Sequence, residues 1–398
     1  MAPNGTFSKT GTKFNAQRLP PDSVLQEQDK ETRKATLLRP QPEDPTKAPI
    51  ENTLEIQELS QIEPDIFTNA RPLWHPPTAR GIFGGGVIAQ SIAAGQSTVP
   101  PDFAIHSCHS YFLLAGSSTI PLVYHVERVR DGRSFATRTV QACQRGACIF
   151  TITASFVRRS SGGTKSLRHA LPTPQKIGDA PPVPTNDEDG QEDDDMDDPA
   201  LPFIVRAIRI TGTLDAPGVH QRRCQHWMKA RGKISTPAGS AEHVAALAYM
   251  SDSAFVASVL RIHGVWRFHS PPEAPAPEYF RRAMREDVGT DGKFNGLELS
   301  QLRERPRMGM LVSLDHSIYF HNPQAVKADE WMLSDVMSPF SGDGRGVAIS
   351  HIYSQDGTLL ATCVQEGVTR LNQDGPDPVN PDFPNHVTKE DKPIKEKL

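Results

Sequence analysis

The chain has 398 residues, room for two or three domains. Hydrophobic residues make up 37% and prolines number 35, so cores are expected only where apolar residues cluster in blocks. The formal net charge of −4 gives no reason to expect a nucleic-acid partner, and no apolar run approaches the length of a membrane span.

The acidity is local. Nine acidic residues lie between Asp187 and Asp198, and without them the formal charge is about +5, a balance suited to an anionic ligand. The five cysteines (Cys108, Cys143, Cys148, Cys224, Cys363) form no CxxC pair. That pattern predicts buried thiols in a reducing compartment. Residues 1–50 are polar, Pro-rich and without a sustained period, and are predicted to be an extended tail. The first domain is predicted over 51–158.

Gly84-Gly85-Gly86 opens the apolar stretch Val87-Ile88-Ala89-Gln90-Ser91-Ile92-Ala93-Ala94, a predicted buried helix that stops near Pro100-Pro101. Glycines at a helix start permit either close backbone approach or free amides facing a ligand. No GxGxxG follows a strand, so a dinucleotide site is not indicated. Strands are predicted at 107–113, 121–130, 134–143 and 148–158, with turns at Asp131-Gly132-Arg133 and Gln144-Arg145-Gly146. One helix followed by an antiparallel meander makes an α+β unit.

Residues 159–200 turn Ser/Gly/Pro-rich and then acidic, the signature of a solvated linker. A second domain over 201–372 repeats the plan. It begins with strand between Ile208 and Trp227. A helix follows from Glu242 to Arg261, and then strands at 311–321, 330–338, 345–354 and 358–371. Asp131-Gly132-Arg133 and Asp343-Gly344-Arg345 stand 212 residues apart; at that offset Thr153 matches Gln365. Two motifs in order argue for an internal duplication. The insertion 266–307 contains Asp287, Asp291, Gly292 and Glu298 at the spacing of a calcium loop, but Gly289 stands where a ligand is needed. A polar turn is the expectation there. Residues 373–398 are a predicted tail.

Three polar side chains fall where apolar ones are expected. Asp252 lies beside the helix stripe formed by Val244, Leu247, Ala248, Phe255 and Val259. Gln365 shares a strand face with Cys363. Ser313 opens a strand with Asp315 and Ser317 on its face. Burial raises a carboxylate toward the range of a useful base, and a hydroxyl and an amide orient a water beside it. Each residue also has a purely structural reading. Asp252 serves as a cap, Gln365 as an exposed strand residue, and Ser313 as a partner for the backbone. His106 and His109 point to opposite faces of a strand, so they build no metal site. No G-x-S-x-G occurs, which argues against a serine hydrolase.

These residues resemble the type II acyl-CoA thioesterases, the double-hotdog enzymes of bacteria and peroxisomes. The resemblance rests on His106-Ser-Cys-His109-Ser-Tyr-Phe112, Val126-Glu-Arg-Val-Arg-Asp-Gly-Arg-Ser-Phe135, Ser313-Leu-Asp-His316, Phe320-His321 and Val364-Gln365-Glu-Gly-Val368. It spans roughly 70–158 and 205–371. It implies an α+β double hotdog, two tandem units that each wrap an antiparallel sheet around a long helix. It implies hydrolysis of acyl-CoA to fatty acid and CoA by a water held between Asp252, Ser313 and Gln365, with no acyl-enzyme, no cofactor and no metal. Gly84, Gly85, Gly86, His109 and His316 are its candidate substrate contacts. The family's Gly-Gly-Gln is here Gly84-Gly85-Gly86, and its Arg-Pro-Gly is Leu114-Ala115-Gly116. The expected partner is acyl-CoA, with no nucleic acid or membrane span, and a homo-oligomer is compatible. A silent hotdog that binds acyl-CoA or a protein partner is the alternative. Lys395-Glu396-Lys397-Leu398 is a weak form of a peroxisomal signal, so the expected compartment is peroxisomal or cytoplasmic.

Overall fold

The computed structural model describes residues 40–76, 79–174, 180–184, 201–211, 218–265 and 305–374. The acidic run, the calcium-like segment, nearly all of the insertion and most of both tails lie outside the described residues.

Helix α1 (Pro49–Leu54) precedes two short strands, β1 (Ile56–Glu58) and β2 (Ile66–Asn69). Helix α2 (Gly84–Ser97) follows, then β3 (Phe103–Phe112), β4 (Val123–Asp131), β5 (Phe135–Gln144) and β6 (Ala147–Arg158). The second half has β7 (Phe203–Ile210), β8 (Arg223–Ala230), helix α3 (Ala241–Ser251), helix α4 (Ala257–Ile262), β9 (Met308–Ser313), β10 (Asp315–Phe320), β11 (Met332–Gly342), β12 (Arg345–Ser354) and β13 (Leu359–Leu371).

The described strands form one antiparallel sheet, ordered β1-β2-β4-β5-β6-β3-β10-β13-β12-β11-β8-β7, with β9 beside β13. The order β4-β5-β6-β3 on one side mirrors β11-β12-β13-β10 on the other. The halves meet where β3 pairs with β10, Ser317 opposite His109 and Ile318 opposite Cys108. Alternation along each strand buries one face. Phe150, Ile152, Ala154 and Phe156 of β6 face the core, with Val87, Ile88 and Ile92 of α2 and Leu247 and Ala248 of α3. Each such large aliphatic or aromatic side chain contributes about 1.5–3 kcal/mol by leaving water. This is the expected α+β double hotdog.

Two predicted elements are broken, both at the future site. The helix expected from Glu242 to Arg261 ends at Ser251 and resumes at Ala257. Ser251 turns its hydroxyl back to Ala248 O, and Ala254 adopts a left-handed φ of 56°, which no continuing helix accepts. The strand expected over 311–321 is interrupted at Leu314. Ser313 pairs with Gly367, but Ser317 pairs with Val364, so one extra residue is accommodated between them. Ser313 and Ser317 therefore do not share one uninterrupted strand face.

The offset of 212 also fails in the last strand. Thr153 is exposed and Gln365 is fully buried, whereas equivalent positions of two copies face the same side of their sheet. Shifting by one residue places core-facing Ala154 against Gln365. The two Asp-Gly-Arg turns differ as well. Asp343 and Gly344 form a two-residue turn with φ of 52° and 68°, whereas Asp131 is still paired with Ala136.

Candidate active site

Asp252 follows the last residue of α3, at the point where that helix meets the first turn of α2. Three glycines permit this meeting. A Cβ on Gly85 would lie 2.2 Å from Tyr249 O, and one on Gly84 would lie 2.7 Å from Asp252 Oδ2 and from the Phe112 ring. A Cβ on Gly367 would strike Val256, so its absence lets the 252–256 turn settle on β13. The carboxylate then receives Gln365 Nε2–H at 2.7 Å and the Gly85 backbone N–H. It sits at a helix N-terminus, where partial positive charge favours an anion.

Burial outweighs that help. The Asp252 side chain is 7% exposed, and desolvation pushes its pKa up to about 6 against the lowering by Gln365 and Gly85. A carboxyl group there is ionised at neutral pH, yet basic enough to take a proton. His316 stands on the same side of the sheet, with Nδ1 3.9 Å from Asp252 Oδ1. Burial holds its ring neutral, with the pKa down to about 3. Cys363, two residues before Gln365, is fully buried, and desolvation raises its thiol pKa strongly, so it is no nucleophile.

The other sequence candidates divide. Ser313 lies opposite Gly367, two residues along β13 from Gln365, but among the described residues it hydrogen-bonds to neither Asp252 nor Gln365. Gly86 packs on Leu73 and Tyr249, and its amide goes to Phe83 O. His109 is on the outer face. Its Nδ1 meets Ser317 Oγ at 3.0 Å, and its ring packs on Tyr319, so the structure does not bring it to Asp252. Sequence reading missed Ser251, which neighbours Asp252 and reaches His316 Nε2 at 3.0 Å. The only signal was a small hydroxyl at the end of an apolar helical stripe.

A cavity of about 580 Å³ opens at the opposite end of the α2–α3 pair, between Ile92, Val99, Phe103 and Val244. None of Asp252, Gln365 and His316 lines it.

Residues 71–157 match the acyl-CoA thioesterase N-terminal domain, and residues 178–369 match the C-terminal domain. The chain is 30% identical over 328 residues to rat acyl-coenzyme A thioesterase 8, covering 78% of this chain and 87% of that one. This chain belongs to the type II acyl-CoA thioesterase family. A yeast relative, peroxisomal acyl-coenzyme A thioester hydrolase 1 of Saccharomyces cerevisiae, is 25% identical over 81% of this chain and 95% of its own length. The crystal structure of acyl-CoA thioesterase II TesB2 from Mycobacterium marinum is similar with a TM-score of 0.53. It shares 30% identity and covers 82% of this chain and 98% of that one.

Proposed function

We propose that this thioesterase cleaves acyl-CoA by direct attack of water, with Asp252 as general base and Gln365 and Ser313 as orienting groups. The activity class follows from the family, which makes the chain an acyl-CoA thioester hydrolase. The observation that carries the mechanism is the buried Asp252 carboxylate, raised to about 6 and fixed by Gln365 Nε2 at 2.7 Å.

Asp252 takes a proton as the water oxygen bonds to the thioester carbon. The tetrahedral oxyanion collapses, the C–S bond breaks, and the CoA thiolate recovers the proton from Asp252. Fatty acid and CoA leave with no covalent enzyme species. Gly85 and Gly86 have spent their amides on Asp252 and Phe83, which leaves the amide of Gly84 as the donor for the carbonyl oxygen. Ser313 enters the trio through the family motif and its place opposite Gly367.

The test is free-thiol release from acyl-CoAs of short to long chain. Loss of the general base in Asp252→Asn is expected to cut turnover about 10²–10⁴-fold. Near wild-type release by that variant would remove Asp252 from the mechanism. We further propose a peroxisomal location, supported by the yeast relative, whose name states that compartment. A tagged full-length chain that fails to co-sediment with peroxisomal markers would overturn it.

A further inference from the structure

The Asp252 carboxylate faces one more group with a definite hydrogen-bonding state. His316 is fully buried on β10, and its carbonyl is held by Ser110 Oγ at 2.7 Å. Its ring stands edge-on to Phe255, with centres 5.4 Å apart. Nε2 lies 3.0 Å from Ser251 Oγ. That hydroxyl also lies 2.8 Å from Ala248 O, which can only accept, and against the Cys363 thiol; with its hydrogen on Ala248 O it accepts from the ring. The imidazole hydrogen is therefore on Nε2, and Nδ1 carries a lone pair.

Among the described residues Nδ1 is buried without a hydrogen-bond partner, and so is Gln365 Oε1. Two acceptors do not bond to each other, yet Nδ1 faces Asp252 Oδ1 at 3.9 Å. Leaving a buried acceptor without a donor is unfavourable by about 1–3 kcal/mol, so packing alone does not explain the orientation. Acceptors about 4 Å apart match the span of the two hydrogens of one water, each bond about 2.8 Å long.

We propose that His316 Nδ1 accepts one hydrogen of the attacking water while Asp252 accepts the other, so that the imidazole aims the water's lone pair at the thioester carbon. This rests on the Asp252–water reading above and adds the group that sets the water's direction. The departing proton goes to Asp252, and His316 stays neutral throughout. The new O–C bond forms as before, and the thiolate takes the proton when the C–S bond breaks.

Two substitutions separate the two ring nitrogens. His316→Asn places an amide oxygen where Nδ1 was. His316→Gln places an amide nitrogen where Nε2 was and leaves no acceptor toward Asp252. With long- and short-chain acyl-CoA, His316→Asn is expected to keep kcat within about fivefold of wild type, and His316→Gln to lose about 10²-fold at unchanged KM, since a misdirected reactant is penalised in turnover. Ser251→Ala, which frees the ring hydrogen to move to Nδ1 beside the carboxylate, should reproduce the glutamine loss and stands in if His316→Gln does not fold. Melting curves establish that each variant is folded. Asp252-dependent turnover with equal kcat in the two His316 variants, or with full kcat in Ser251→Ala, overturns this proposal alone. Turnover that survives Asp252→Asn overturns it together with the base assignment.

Discussion

Two buried polar clusters, one around Arg138 in the first hotdog and one around Asp252 in the second, are satisfied to different degrees. In the first, Arg138 is fully buried and every guanidinium nitrogen is used. Nε donates to Thr98 Oγ1 at 2.8 Å, and the other two reach Thr98 O, Arg130 O, Thr137 O and the Asp131 carboxylate. Gln90 is equally committed, giving to Thr53 O at 2.7 Å and receiving from Tyr124 Oη at 2.6 Å. In the second, Gln365 uses its nitrogen on Asp252, and among the described residues its oxygen and His316 Nδ1 have no partner. A satisfied buried network fixes a fold, whereas one with open acceptors waits for a donor from solution. The Arg138 cluster thus closes on itself, and the Asp252 cluster keeps acceptors open.

The sharpest break of that contrast is Asp252→Asn. Turnover should fall about 10²–10⁴-fold, yet the protein should gain stability. Because burial raises the folded pKa from 3.8 to about 6, the native state loses stability as pH rises from 3.8, where the unfolded carboxyl ionises, to about 6, and the full cost stands above that. A shift of that size corresponds to about 2–3 kcal/mol. The gain of the Asn variant should therefore be largest near pH 8 and should vanish as pH falls toward 4. Paired denaturant titrations at those pH values check it, and a variant less stable than wild type at pH 8 contradicts the buried-base assignment.

Gln365→Leu comes next. It removes a donor that lowers the Asp252 pKa, so the acid limb of the kcat/KM profile should move above pH 6 while turnover drops about 10²-fold from a misplaced base. An unmoved acid limb would show that Gln365 does not act on Asp252.

Much of this was legible in the sequence, for a physical reason. Burial writes period-2 patterns into strands, so β4 to β6, β12 and β13 were found nearly to their ends, while the readings of β3 and β11 each stop four residues short at one end. A carboxylate beside an apolar helical stripe is an anomaly at any range, which made Asp252 visible; Gln365 came from the same reasoning. What stayed hidden depends on a single residue. The helix break after Ser251 needs the left-handed Ala254, which has no sequence signature comparable to glycine. The interruption at Leu314 shifts register by one, and period-2 reading cannot detect a shift that it assumes absent. The role of the triple glycine was readable only as two options. The structure shows close approach and an amide spent on Asp252 at the same point.

Arg138→Met tests the satisfied cluster. It leaves Asp131 in solvent, where its side chain is 57% exposed, but strips Thr98 of its donor, at about 2–3 kcal/mol. Specific activity per folded molecule should be unchanged. A fall in kcat beyond the folded fraction would mean that the Arg138 network reaches the reacting groups.

The smallest effect is the most informative about the repeat. If the halves matched at the even offset, Thr153 would stand where Gln365 stands and would feel the same burial. It lies instead on the outer face, its hydroxyl 3.2 Å from Thr139 Oγ1, while the inward position is taken by Ala154, 1% exposed. Thr153→Val should change stability by no more than about 0.5 kcal/mol and leave turnover intact, as expected for a surface site in a strand that tolerates β-branching. Ala154→Gln should instead destabilise by about 1–3 kcal/mol, because it forces a long amide into a filled core with no partner. Measured together by denaturant melts, the pair reads parity directly. A large loss at Thr153 with none at Ala154 would restore the offset of 212 and undo the match of Ala154 to Gln365.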